Sequence, residues 1–175
     1  MTFLPLDPDT RDIRLEDVAH ALSLQCRFGG HCKHFYSVAE HCLRVSRSCA
    51  PDTALWGLMH DAAEAYLGDL PAPLKDSSVK FGALYRKAEV TLLSAVASRF
   101  GLPSEIPADV WRADAVVLAT EVRDLMVADA LWNSLPDPLP DEIVPIPAQA
   151  AERAFLERYR QLSGARHHVS QDIGA

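Results

Sequence analysis

An adjacent His-Asp pair stands in the middle of an apolar run, LWGLMHDAAEAYLGDLPAPLK. Leu55, Leu58, Met59, Ala62, Ala63 and Tyr66 recur at helical spacing, so the run reads as a helix. Successive helical residues diverge by about 100°, which lets His60 and Asp61 converge on one ion held between them. Glu64 follows at i+4 from His60 and i+3 from Asp61, over the same face. That spacing sets a carboxylate beside the ion, where it can act on water. A His-Asp pair on a helix is common, so its meaning depends on the rest of the chain.

The remaining segments share the helical period. RLEDVAHALSLQ, residues 14–25, places Leu15, Val18, Ala19 and Leu22 on one stripe. Ser37-Val38-Ala39-Glu40 is a capping-box sequence that starts a helix running to about Cys49. His41 falls in its first turns, and Arg44, Ser46 and Arg47 read as its solvent face. Pro51-Asp52 ends this helix and caps the one carrying His60 and Asp61. The connection is short, so the two helices pack as antiparallel neighbours, an arrangement that can bring His41 near His60. Gly68-Asp69-Leu70-Pro71-Ala72-Pro73 stops the His-Asp helix and, with Lys75 following, forms a stiff wall suited to a substrate pocket.

A long helix is expected from about Ser78 to Phe100, with Phe81, Leu84, Tyr85, Ala88, Leu92 and Val96 as its stripe. Another starts at Pro107 and runs to about Ala128. It carries Asp114 among Val110, Ala113, Val117 and Leu118, with Glu121 at i+7 on the same side. A carboxylate so close to an apolar stripe needs a metal, a donor or an arginine. Residues 135–147 are Pro-rich and irregular, a final helix spans Ala148 to about Leu162, and the tail 164–175, with His167 and His168 at its surface, is expected to be mobile. No strand-rich region or repeat interrupts this pattern, so the expectation is an all-α helical bundle forming a single domain, with its core in residues 14–128.

Composition removes several function classes. Hydrophobic residues make up 49% of the 175, enough for a sizeable core. A net charge of −7, from 17 basic and 24 acidic residues, disfavours broad binding to nucleic acid. No run approaches the ~18 apolar residues of a membrane span, and MTFLPLDPDTRD lacks the features of a secretory signal, so a cytoplasmic location is expected. Cys26, Cys32, Cys42 and Cys49 then read as thiols rather than a disulfide framework. The loop CRFGGHCKHFY, residues 26–36, is dense in functional side chains. It reads either as a zinc knuckle built from Cys26, His31 or Cys32, and His34, or as a substrate loop with Arg27 for an anion and Phe28 for a base or sugar.

The order His41, then His60-Asp61, then Asp114 resembles the H…HD…D signature of the HD-domain metal-dependent phosphohydrolases. Ala39-Glu40-His41, His60-Asp61-Ala62-x-Glu64 and Gly68-Asp69-Leu70-Pro71-x-Pro73-x-Lys75 are similar to the bacterial 5′-deoxynucleotidase branch and to small phage deoxynucleoside triphosphatases. The resemblance covers roughly residues 14–128. It implies an HD-domain fold in which His41, His60, Asp61 and Asp114 bind one divalent transition metal per subunit (Co, Mn, Zn, Fe or Ni). It also implies catalytic work for Glu64, which activates the attacking water, and for Asp61. Asp69 would contact the sugar, and Arg27 and Phe28 the phosphate and sugar, with Pro73 and Lys75 completing the substrate site. The Arg27-Phe28 pair stands one residue closer to His41 than in the family pattern, with Gly29-Gly30 after it. The implied activity is hydrolysis of deoxynucleoside 5′-monophosphates to deoxynucleoside and phosphate, or release of triphosphate from a deoxynucleoside triphosphate. A noncatalytic metal-binding module is the remaining alternative. The implied partners are a nucleotide substrate and further copies of the same chain.

Overall fold

The computed structural model describes residues 3–75, 80–127 and 134–172, with side chains described as far as residue 164 except that of Ala72. It is all-helical: α1 (Leu15–Leu24), α2 (Val38–Ser48), α3 (Ala54–Met59), α4 (Glu64–Leu67), α5 (Ala72–Lys75), α6 (Lys80–Phe100), α7 (Ala108–Leu125) and α8 (Ala148–Asp172), with short 3-10 turns at Thr10–Asp12 and Arg27–Gly30. Among the described residues there is no strand pairing beyond one isolated bridge, Cys26 to Ser37, and no helix is long and apolar enough to cross a membrane.

The core forms around α2. Val38, Ala39, Cys42, Leu43 and Val45 are fully or almost fully buried, because α1, α3, α7 and α8 all pack against this helix. Val18 and Leu22 of α1, Leu58 and Met59 of α3, Val110 and Val117 of α7 and Phe155 of α8 complete one apolar cluster. A second, smaller cluster of Tyr36, Leu125 and Ile143 lies under the loop before α2.

Several expectations change in detail. Ser46 is buried rather than solvent-facing, because α8 crosses α2 here: Arg158 Nε donates to Ser46 Oγ at 3.0 Å, and Ser46 Oγ donates to Ala54 O at 2.8 Å. The Ser37 cap forms, accepting Glu40 N–H at 3.1 Å, but Glu40 turns away to Arg44 Nη2 at 2.7 Å and the Ile146 N–H at 2.9 Å. That carboxylate thereby ties the Pro-rich segment to α2.

The apolar stripe of α6 is buried at Ala88, Leu92 and Val96, while Phe81 and Leu84 are exposed. The expected start of that helix at Ser78 lies outside the described residues. α7 stops at Leu125, where Met126 turns extended with φ −103° and ψ 156°; Ala128 lies outside the described residues. The final helix, expected to end near Leu162, runs through Asp172, while the side chains of His167 and His168 lie outside the described residues.

Candidate metal centre

The helix expected to carry both His60 and Glu64 is broken between them. α3 ends at Met59, and the backbone then tightens into turns, with Ala62 N–H donating to Met59 O at 3.0 Å and Glu64 N–H to Asp61 O at 2.9 Å before α4 begins. The cause is local. His60 Nδ1 donates to Gly57 O at 2.9 Å, and Gly57 O is the carbonyl that a continuing α-helix would use for the Asp61 N–H. A carbonyl only accepts, so the proton in this bond sits on His60 Nδ1, which leaves Nε2 as the nitrogen turned toward the other donors.

His41 enters from the other side, on α2. Its Nδ1 lies 2.7 Å from Glu121 Oε1 on α7, inside a fully buried pair. Buried Glu121 stays ionised: burial alone would raise its pKa, but Arg27 and His41 hold it below the ordinary glutamate range. His41 Nε2 therefore faces His60 Nε2 at 3.3 Å. Two carboxylates join them. Asp61 Oδ2 lies 3.6 Å from His41 Nε2 and 3.4 Å from His60 Nε2, and Asp114 Oδ1 lies 3.1 Å and 4.0 Å from the same two atoms. A divalent ion about 2.0–2.2 Å from four tetrahedral donors sets them roughly 3.3–3.6 Å apart. These separations straddle that range, so the four side chains form a donor set that could hold one cation; the donor atoms of His41, His60 and Asp114 all lie within 4.8 Å of one another.

The donors share charge with a proton that a metal would have to displace. Burial and Arg27 would lower the pKa of His41, but Glu121 and Asp114 outweigh them and pull the imidazole up to about 10. Asp114 moves the opposite way: burial would raise it, yet its hydrogen bond to His41 and the charges of His41, His60 and Arg27 hold it well below the usual carboxylate range. A buried centre of this kind attracts positive charge. Nitrogen and carboxylate donors together suit first-row divalent metals without selecting one.

The centre opens into a cavity of about 520 Å³ lined by Arg27, Phe28, Asp61, Glu64, Asp69, Pro73, Lys75 and Asp114, so the remaining sequence-predicted site residues share one space with the donor set. Glu64 is 3% exposed and does not join the donors. One of its oxygens accepts from Lys75 Nζ at 2.8 Å; the other, Oε2, is buried without a hydrogen-bond partner. Burial, then the Asp61 charge, pushes the carboxyl up to about 8 against the opposing pull of Lys75. Lys75 is shared with Glu89 Oε1 at 2.9 Å, and its own pKa is raised because Glu64 and Glu89 overcome the cost of burial. Arg27 spans the far wall, 3.1 Å from Glu121 Oε2 and 3.6 Å from Asp61 Oδ2. Its guanidinium also sits 5.2 Å from the ring centroid of Phe28, a non-glycine residue held at φ 57°.

The zinc-knuckle reading of the 26–36 loop does not hold. Among the described residues no group of three metal-ligating side chains forms there, and His31 and His34 are exposed. The buried-arginine alternative for Asp114 also fails in its simple form, since its partner is His41 while Arg27 takes Glu121 and Asp61.

Three contributors lie outside the predicted set. Glu121, noted only for its spacing, orients His41. Glu89 fixes Lys75. Gln25 ties α1 to the pocket wall, its Nε2 donating to Glu64 O at 3.0 Å and its Oε1 accepting from Asp69 N–H at 3.0 Å. A lone glutamine at a helix end offers no signal by which sequence reasoning would find it.

No protein-family model matches the chain. It is 37% identical over 159 residues to the uncharacterized protein YfdR of Escherichia coli K12, covering 89% of this chain and 87% of YfdR. It is 34% identical over 182 residues to the uncharacterized protein RCAP_rcc00048 of Rhodobacter capsulatus, covering 94% of this chain and 88% of that protein. Identity at this level over nearly the whole length of both relatives means that the chain belongs to the family of YfdR.

Proposed function

We propose that this protein is an HD-type metal-dependent phosphohydrolase that removes phosphate from deoxynucleoside 5′-monophosphates. The observation that carries the proposal is one cavity lined by two of the four clustered donors, Asp61 and Asp114, and by a buried glutamate with an unpartnered oxygen. His41, His60, Asp61 and Asp114 would hold the ion. When bound, it would lower the pKa of neighbouring water and neutralise charge on the phosphoryl group. Once ionised beside the bound cation, Glu64 Oε2 would accept a proton from the attacking water, while Lys75 pins the other oxygen and keeps the carboxylate oriented. Arg27, whose side chain is 12% exposed, presents its charge toward the phosphoryl oxygens, and Asp69, which lines the same cavity, would contact the sugar. Leu70, Pro71, Leu118 and Met126 supply the apolar surface against which a base would rest.

The triphosphohydrolase alternative needs further cations around the pocket, for which Lys33, Lys75, Lys80 and Arg86 are the candidates, and three of these four are engaged elsewhere. Lys33 Nζ donates to Asp124 O at 3.1 Å, Lys75 is held by two carboxylates, and Arg86 bonds Lys75 O. These contacts favour a monophosphate.

Product analysis tests the proposal. Metal-stripped protein is incubated with dAMP or dATP, with and without Co²⁺ or Mn²⁺. Metal-dependent release of deoxyadenosine from dAMP is expected, with Glu64→Gln inactive. Deoxyadenosine and intact triphosphate from dATP would promote the alternative. No cleavage of any deoxynucleotide with any metal would leave a noncatalytic metal-binding module.

A further inference from the structure

The loop between α1 and α2 carries a thiol pair that the proposed reaction does not use. Cys26 Sγ and Cys32 Sγ lie 3.6 Å apart, and both residues are half-buried. Ordered backbone sets the pair from both sides. Cys26 is bridged to Ser37, and its neighbour Arg27 donates its N–H to Tyr36 O at 2.9 Å. Cys32 packs on the Tyr36, Leu125 and Ile143 cluster, and the next N–H, of Lys33, donates to Leu125 O at 2.8 Å. Between them the chain reverses through Phe28, Gly29 and Gly30, at φ 57°, 58° and 82°.

Two thiols held this close by a fixed turn are metal ligands or a redox couple. The metal reading lacks partners, since among the described residues no third ligating side chain joins them. We propose that Cys26 and Cys32 are an oxidation site that closes to a reversible intramolecular disulfide on exposure to a two-electron oxidant such as hydrogen peroxide. One cysteine, as thiolate, attacks a peroxide oxygen. The O–O bond breaks, a sulfenic acid forms, and the departing hydroxide leaves as water with the thiol's proton. The second sulphur attacks the sulfenic sulphur, the S–O bond breaks, and a second water leaves. Two thiols thus lose two electrons and two protons, and peroxide is reduced to two waters.

The motion required is small. A disulfide needs sulphurs about 2.05 Å apart, so closure from the observed separation is roughly 1.5 Å, within reach of side-chain rotation and the two glycines. Where glutathione keeps thiols reduced, such a pair rests as a dithiol and cross-links only transiently. Cys26 immediately precedes Arg27, so the cross-link tightens the turn that presses Arg27 against Asp61 and Glu121.

The test uses the full chain and does not depend on any hydrolytic activity. Protein treated with hydrogen peroxide is alkylated, digested with trypsin and mapped by mass. The peptides Leu15–Arg27 and Phe28–Lys33 are expected as one disulfide-linked pair that dithiothreitol separates, while the protein stays monomeric on a non-reducing gel. Cys26→Ser and Cys32→Ser should each abolish the pair, and Cys49→Ser should retain it. If a serine variant fails to fold, the wild-type map alone decides the matter. Sulfinic acid without a cross-link, a cross-link to Cys49, or one between two copies in place of the internal pair would overturn the proposal.

Discussion

Replacing Gly57 with alanine tests whether packing between α2 and α3 sets the geometry of the metal centre. A Cβ built at this position falls 2.7 Å from Cys49 Sγ, 3.0 Å from Ser46 Cα and 3.2 Å from Ser46 N. The half-buried Cys49 thiol can swing aside. The Ser46 backbone cannot, because Arg158 Nη2 donates to Ser46 O at 3.1 Å and Arg158 Nε to Ser46 Oγ. Relief must come from α3 moving off α2 by a few tenths of an ångström. Overpacking of this kind costs about 1–3 kcal/mol, against about 1 kcal/mol gained from alanine's helix propensity. The net loss is roughly 0–2 kcal/mol, or a fall in Tm of up to about 8 °C for a chain of this length.

The same motion reaches the site. His60 hangs on Gly57 O, and His41 Nε2, 3.3 Å from His60 Nε2, belongs to α2. Cobalt affinity should therefore fall about tenfold, in line with the loss of an orienting contact. Gly164→Ala is the control, since a Cβ there meets nothing within 4 Å, and it should leave metal binding unchanged. Thermal melts of the metal-stripped proteins and cobalt titrations supply both readouts. A Gly57→Ala protein as stable as wild type, with unchanged cobalt affinity, would refute the claimed coupling of helix packing to the centre.

Glu121→Gln should weaken metal binding by about 10–100-fold while leaving the four donors in place, as measured by competition with a chelating dye; unchanged affinity would remove Glu121 from the site. In metal-stripped protein, Glu64 contributes stability that is present below its ordinary value of 4.5 and is lost as pH rises toward about 8, because the fold favours its protonated form. Glu64→Gln should therefore gain Tm relative to wild type progressively across that window, and a gap that does not change with pH would contradict the assignment.

Much of this site is local in sequence, which is why it was legible. His60, Asp61 and Glu64 declare their chemistry within one short stretch, and the brief connection from α2 to α3 makes their meeting with His41 geometrically easy. Asp114 drew notice because a carboxylate on an apolar stripe demands a partner. The contributors whose roles the sequence does not declare act over distance. Glu121 reaches a histidine 80 positions earlier, and Gln25 reaches residues 39 and 44 positions later. The break after Met59 also left no mark in the apolar period, because it arises from one imidazole competing for one carbonyl. Ser46 reads as solvent-facing in sequence because the path of α8 over α2 depends on tertiary contacts that periodicity does not report.

The most direct measurement is a cobalt(II) titration of the metal-stripped protein, read by ligand-field absorption. One ion per chain is expected in wild type and in Glu64→Gln, with binding lost in His60→Ala and Asp61→Ala variants that still fold by circular dichroism. No binding to wild type, or stoichiometric binding that survives both replacements, would contradict a metal centre built from His41, His60, Asp61 and Asp114.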